Sequence, residues 1–418
     1  MTNGGRDNDG VRLKRTVEAE QHSPPEKEEQ QLAKTRKAPW RWIVLTALGL
    51  VVLCVITWLV LVPSSVPTKS VAWRIQPDQF PMGTVVQGSR VEMSFGVFSG
   101  LRPSVLPGFI TGLPSPIRKP CEWGITSLRS LKAKNEWGLK VDAPGFLKVD
   151  EAQIQFHSSG GPFAFVSVSL KTDQPGRFDG TVIVRLTSSG YAATNITVPV
   201  SAAVVTSPSS PRRTTLITQT PYECYSTGNG HDFEPLANLV SRLTTNGVRI
   251  DFRRYLPRSI SGYSTILFAG DALARADPAQ TAVLKNFVSG GGRLILAADA
   301  FLVPTTPNAN AILSSYGLQI INRDAGKRMT NSTVIADSLT SNVRHLDFWR
   351  PAPVKVTDTS QAKLLVTSDD SEGGFVAVSR SPNRGEVIVV TQSLWWNWIR
   401  SDSTNVDNCV LLENLLAR

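Results

Sequence analysis

Cys224 and His231 stand seven residues apart in the stretch Pro221-Tyr-Glu-Cys-Tyr-Ser-Thr-Gly-Asn-Gly-His-Asp232. A thiolate is a nucleophile and an imidazole is a base able to generate it, so the pair is one candidate for acyl-transfer chemistry. The stretch holds two glycines and leads into a helix amino terminus, a setting that lowers a thiol pKa and suits an anion, with Glu223 beside the cysteine. Plainer readings stand next to these. Cys224 serves equally as half of a disulfide with Cys121 or Cys409, and His231 as a first-turn helix residue. Asp271 and Asp299 close two strand-like runs, where a pair of carboxylates can act as acid and base, although an aspartate at a strand end more commonly caps the turn that follows. Trp395, Trp396 and Trp398 crowd the segment Gln392-Ser-Leu-Trp-Trp-Asn-Trp-Ile-Arg400. Such a cluster stacks on a sugar, anchors a protein partner, or packs under a neighbouring helix. The cysteines show neither a CxxC pair nor metal-ligand spacing, so no metal and no cofactor is implied.

The elements that must position these residues are read from periodicity. Thr215-Leu-Ile-Thr218, Val248 to Phe252, Ser264 to Ala269 and Arg293-Leu-Ile-Leu-Ala-Ala298 are apolar strands of the buried kind. Between them, Asp232 opens a helix with Phe233, Leu236, Leu239, Val240 and Leu243 on one face, ended by Asn246-Gly247. Asp277-Pro278 opens another that stops at Ser289-Gly-Gly-Gly292. Strands alternating with helices predict an α/β domain with a mostly parallel sheet over 214–418. In such a sheet Asp271, Asp299 and the tryptophans fall at the carboxyl ends of strands, the edge where open α/β sheets bind ligands.

Upstream the pattern differs. Val91 to Phe98, Phe165 to Thr172, Thr181 to Thr187 and Asn195 to Val205 alternate apolar and polar residues between Gly, Pro, Asp and Ser, which predicts an antiparallel β-sandwich over 71–205. A basic insertion with Trp123 and Trp137 occupies 100–145, and a Ser/Pro linker 206–213. Residues 1–41 lack the apolar content for a core and read as a disordered tail. Residues 42–62 are 21 uncharged residues rich in Leu, Val and Ile, and about 20 such residues in a helix span a bilayer core of about 30 Å. Lys27, Lys34, Arg36, Lys37 and Arg41 precede them, against Lys69 and Arg74 after. The expectation is therefore a multi-domain, single-pass protein: a signal anchor contacting membrane lipid, a cytoplasmic amino terminus and an extracytoplasmic bulk. The net charge of +10 is diffuse, and the expected location argues against nucleic acid and for an envelope protein or glycan partner.

Two resemblances sharpen this. Gly83, Gly88, the hairpin around Gly176 and Gly180 and the closing Val198-Pro-Val-Ser-Ala-Ala-Val204 resemble Ig-like domains of the abnormal-spindle and hydin type. Tyr263 to Asp271, Phe287 to Asp299, Gly373 to Val378, Gly385 to Thr391 and Val406 to Leu416 resemble the class I glutamine amidotransferase-like fold. That resemblance is to its non-catalytic branch, found in gliding-motility transporter accessories and intraflagellar-transport subunits. The catalytic branch places a cysteine on the turn after the central strand; this chain has Ala297-Ala-Asp-Ala-Phe301 there and no His-x-Glu. The resemblance thus implies a catalytically empty binding or assembly module. The rival is an envelope hydrolase or amidotransferase-like enzyme using Cys224 and His231 or Asp271 and Asp299.

Overall fold

The computed structural model describes residues 48–51, 73–76, 80–99, 114, 137–156, 162–188, 191–206, 213–218, 234–298, 305–323, 328–329, 332–368, 373–380, 385–392 and 407–417. Among the described residues a helical fragment at 48–51 precedes eight strands: β1 (Trp73–Gln76), β2 (Phe80–Val86), β3 (Val91–Ser99), β4 (Trp137–Asp142), β5 (Leu147–Phe156), β6 (Pro162–Leu170), β7 (Gly176–Ser188) and β8 (Tyr191–Val205). Strand β9 (Arg213–Ile217) is followed by helix α1 (Glu234–Thr245), β10 (Val248–Phe252) and β11 (Thr265–Ala269). Helices α2 (Gly270–Ala274) and α3 (Pro278–Ser289), strand β12 (Arg293–Ala297) and helix α4 (Thr306–Leu313) come next. The remainder is β13 (Leu318–Ile320), β14 (Arg328–Met329), β15 (Ser332–Val334), β16 (Phe348–Trp349), β17 (Val354–Val356), β18 (Ala362–Ser368), β19 (Gly374–Arg380), β20 (Glu386–Val390) and α5 (Asn408–Ala417).

Local sequence accounts for several boundaries. Asp277 makes a capping box, its Oδ1 accepting from the Gln280 N–H at 2.7 Å while the Asp277 N–H donates to Gln280 Oε1 at 3.2 Å, with Pro278 at the first helical position. Helix α1 ends at Gly247, whose φ of 79° is the left-handed conformation that closes a helix. Its residues Leu236, Leu239, Val240 and Leu243, spaced i, i+3, i+4, i+7, are all buried.

One 14-stranded sheet dominates, in the order β13-β17-β19-β20-β12-β11-β9-β10-β3-β6-β5, with β1 on β3 and β15 and β18 joined beside β19. Strands β20, β12, β11, β9 and β10 are mutually parallel, and β10 continues parallel into β3 through Phe252 opposite Val91. The flanking pairs β19–β20, β18–β19, β17–β19, β13–β17, β3–β6 and β5–β6 are antiparallel. A second sheet, β2-β8-β7-β4, faces the β3 end.

The side chains alternate across the parallel strands, as a period of two demands. Ile217, Leu267, Ile295 and Ile388 join one core with α1, α5 and the inner faces of the two upstream sheets. Leu216, Ile266, Leu294 and Val387 join a second core with Leu284 and Val288 of α3 and Ile312 and Leu313 of α4. Both faces are covered, which is why these strands read as continuous apolar runs.

Three expectations are corrected. The fold is not an antiparallel sandwich followed by a separate α/β domain with its own mostly parallel sheet: the large sheet is mixed and runs through both halves. Residues 67–418 form one compact unit. The physical reason is the pairing of β10 with β3, reinforced by packing of α1 on β2, neither of which has a local sequence signal. The amidotransferase-like fold is withdrawn with it. Part of the insertion expected over 100–145 is strand β4, whose residues Leu139 and Val141 pack on the first core.

The single-pass membrane localisation is corrected as well. Among the described residues no helix is long and apolar enough to cross a membrane. Of the stretch 42–62 only 48–51 are described, helical and exposed, and the rest lies outside the described residues. An uncharged run is a statement about composition, whereas a span requires an unbroken helix of about 20 residues.

Candidate functional site

The carboxyl ends of β9, β11, β12 and β20 lie side by side because these strands are parallel neighbours. Each leads into a segment that carries candidate residues: 219–233 after β9, α2 after β11, 299–304 after β12 and 393–406 after β20. Asp271 is the second residue of α2, immediately beyond β11. Glu223, Cys224, His231, Asp299, Trp395, Trp396 and Trp398 lie outside the described residues, so the structure neither brings them together nor separates them.

The edge itself is tightly built. Thr218 donates its N–H to the Leu267 carbonyl at 3.0 Å, and its Oγ1 accepts from the Ala269 N–H at 3.1 Å. Ala298 N–H donates to the Val390 carbonyl at 3.0 Å, and Thr391 N–H to the Phe375 carbonyl at 3.0 Å. The ladder thus runs one residue past β9, β12 and β20, and Thr218, Ala298, Thr391 and Gln392 are all fully buried. Segments rooted in such a frame start from fixed points.

Sequence reasoning missed what borders this edge. Phe252, the last residue of β10, pairs with Val91, the first of β3, so β3 and its neighbours β6 and β5 continue past the carboxyl edge like a wall. Arg253 and Arg254 leave β10 against that wall. Arg253 Nη1 donates to Glu92 Oε1 at 2.8 Å and Arg254 Nη1 to Glu151 Oε2 at 3.0 Å. The Arg254 guanidinium also lies 4.4 Å from the centroid of buried Phe165 and 5.1 Å from that of exposed Tyr255. The signal available in sequence was two arginines directly after an apolar strand; their acids are 161 and 103 residues away.

Behind the wall, Asp251 is buried, its Oδ1 accepting from the Arg90 N–H at 2.9 Å and its Oδ2 from the Tyr263 hydroxyl at 2.8 Å. Burial, followed by the charge and hydrogen bond of Asp251, pushes the Tyr263 phenol up to about 12. This contact pins the connection 253–264, which crosses the sheet without a helix.

The opposite, amino edge holds a polar row. Arg293 Nε donates to Glu386 Oε2 at 2.8 Å, Arg380 Nε to Glu386 Oε1 at 3.0 Å, and Arg380 Nη2 to Asp337 Oδ1 at 2.8 Å, with Lys363 Nζ 2.8 Å from Asp337 Oδ2. Burial works to raise the Asp337 carboxyl, but Arg380, the Leu339 N–H and Lys363 outweigh it and hold it well below the usual carboxylate range. Arg213, Thr215 and Arg293 donate to the last carbonyls of α5, at Ala417, Leu416 and Leu415, where cations complement the helix dipole. Every charge in this row faces an opposite charge or a helix end, which is the pattern of a structural network.

Cys409 on α5 carries a half-buried thiol. Burial pushes its pKa up, Glu413 adds to that, and Arg242 opposes it, the reverse of what an activated nucleophile needs. Among the described residues no group of His, Cys, Asp and Glu is arranged to hold a metal ion.

No family model matches the chain, and no curated protein matches it. Among solved structures it is similar to the ASH/PapD-like domain of human CEP192, at 11% identity and a TM-score of 0.23, over 35% of this chain and 95% of that one. It is also similar to the VesB protease of Vibrio cholerae, at 9% identity and a TM-score of 0.18 over 32% of this chain and 31% of that one. A GH5 xyloglucanase of Bacteroides ovatus, in complex with a XXXG heptasaccharide, follows at 12% identity and a TM-score of 0.17, over 59% and 53%. At these scores none carries an argument about fold or activity.

Proposed function

We propose that this chain is a recognition or assembly module that binds a protein or glycan partner without turnover, through the carboxyl edge of its parallel strands. One observation carries the reading. The ends of β9, β11, β12 and β20 are neighbours, so the segments holding Glu223, Cys224, His231, Asp271, Asp299, Trp395, Trp396 and Trp398 all spring from one edge. The tryptophans are the residue type that dominates binding hot spots, and the wall of β3, β6 and β5 gives that edge a fixed border.

The test is capture of partners from extracts of the source cell by the full-length chain. Trp396→Ala should weaken capture by roughly 2 kcal/mol, about 30-fold in Kd, while Cys224→Ala and Asp299→Ala should leave any hydrolysis of p-nitrophenyl acetate at the buffer rate. Hydrolysis that Cys224→Ala or Asp299→Ala abolishes, with Trp396→Ala harmless to capture, overturns the reading in favour of an enzyme.

A further inference from the structure

We draw no further inference here: the strongest candidate, the surface patch just past the end of β10, beside β3 and β6, where exposed Tyr255 stacks through Arg254 on buried Phe165, carries nothing, because Glu92 and Glu151 already neutralise Arg253 and Arg254 and nothing in the structure shows what covers it.

Discussion

Gly83 of β2 lies directly against the backbone of Ala237 in α1: a Cβ at residue 83 would sit 2.5 Å from the Ala237 carbonyl oxygen. Gly83 has a φ of 73° and falls inside the register shift between Pro81 and Thr84, so a bulge opens the seat into which the helix fits. Beside it the Thr84 N–H donates to Ser241 Oγ at 2.9 Å and Thr244 Oγ1 donates to the Thr84 carbonyl at 2.7 Å. The helix thereby satisfies a strand edge that would otherwise be open for pairing with another chain, and it ties the upstream sheets to the parallel strands.

Gly83→Ala should accordingly destabilise the protein by about 2–4 kcal/mol, combining a left-handed backbone with forced overpacking. Gly88→Ala is the control: its φ is 81°, but the nearest atom to a Cβ there is the Arg249 side chain at 3.9 Å, so only the backbone cost of about 1–2 kcal/mol applies. Denaturant midpoints of the two variants measure the difference, and equal losses would mean that the close approach of α1 contributes nothing.

Because a single core joins Leu243 of α1 and Leu415 of α5 to Val184 and Val198 of the second sheet, residues 67–418 should unfold in one transition. Leu243→Ala, which empties a fully buried site, should cost about 2–5 kcal/mol. Hydrogen exchange reads the consequence: amides of β7 and β8 and amides of β11 and β12 should lose protection together. Loss confined to one set would show two independently folding halves.

Tyr263 predicts an alkaline limb. Its phenol is raised to about 12 in the fold, so the neutral form is the one the fold favours. The stability it contributes is fully present below the ordinary pKa near 10 and is lost as pH rises from there to about 12. Tyr263→Phe should flatten that limb in urea titrations at pH 9 and 11, and should cost about 1–3 kcal/mol at neutral pH by leaving the buried Asp251 carboxylate short of a donor. An unchanged alkaline limb in the variant would count against this.

Asp337 predicts the acid counterpart. Its carboxyl is held below the usual range, so the stability it contributes is present above the ordinary carboxylate pKa near 4 and is lost as pH falls below that value. Asp337→Asn should cost about 1–2 kcal/mol at neutral pH and reduce the acid sensitivity of the denaturation midpoint between pH 5 and 2. Identical acid limbs in variant and parent would assign that sensitivity to other carboxylates.

Much of the architecture is local, and to that extent it was legible. The runs at Val91, Phe165, Thr181 and Asn195 lie in β3, β6, β7 and β8, the apolar runs at Val248, Ser264 and Arg293 in β10, β11 and β12, and Asp277-Pro278 caps α3. The candidate residues were found by chemical type and by their place after strand-like runs, and which of those strands are neighbours follows from the strand order of the sheet.

What the sequence by itself determined is therefore which stretches form strands and helices and which faces they bury, because a period of two or of 3.6 and a cap are written within a dozen residues. The tertiary structure alone decided that the halves share one sheet and one core. That decision rests on Phe252 opposite Val91, Asp251 accepting from Arg90 and Gly83 beneath Ala237. These contacts join residues about 150 or more positions apart in the chain, and a backbone pairing or a missing Cβ leaves no periodic trace in sequence from which its partner can be read.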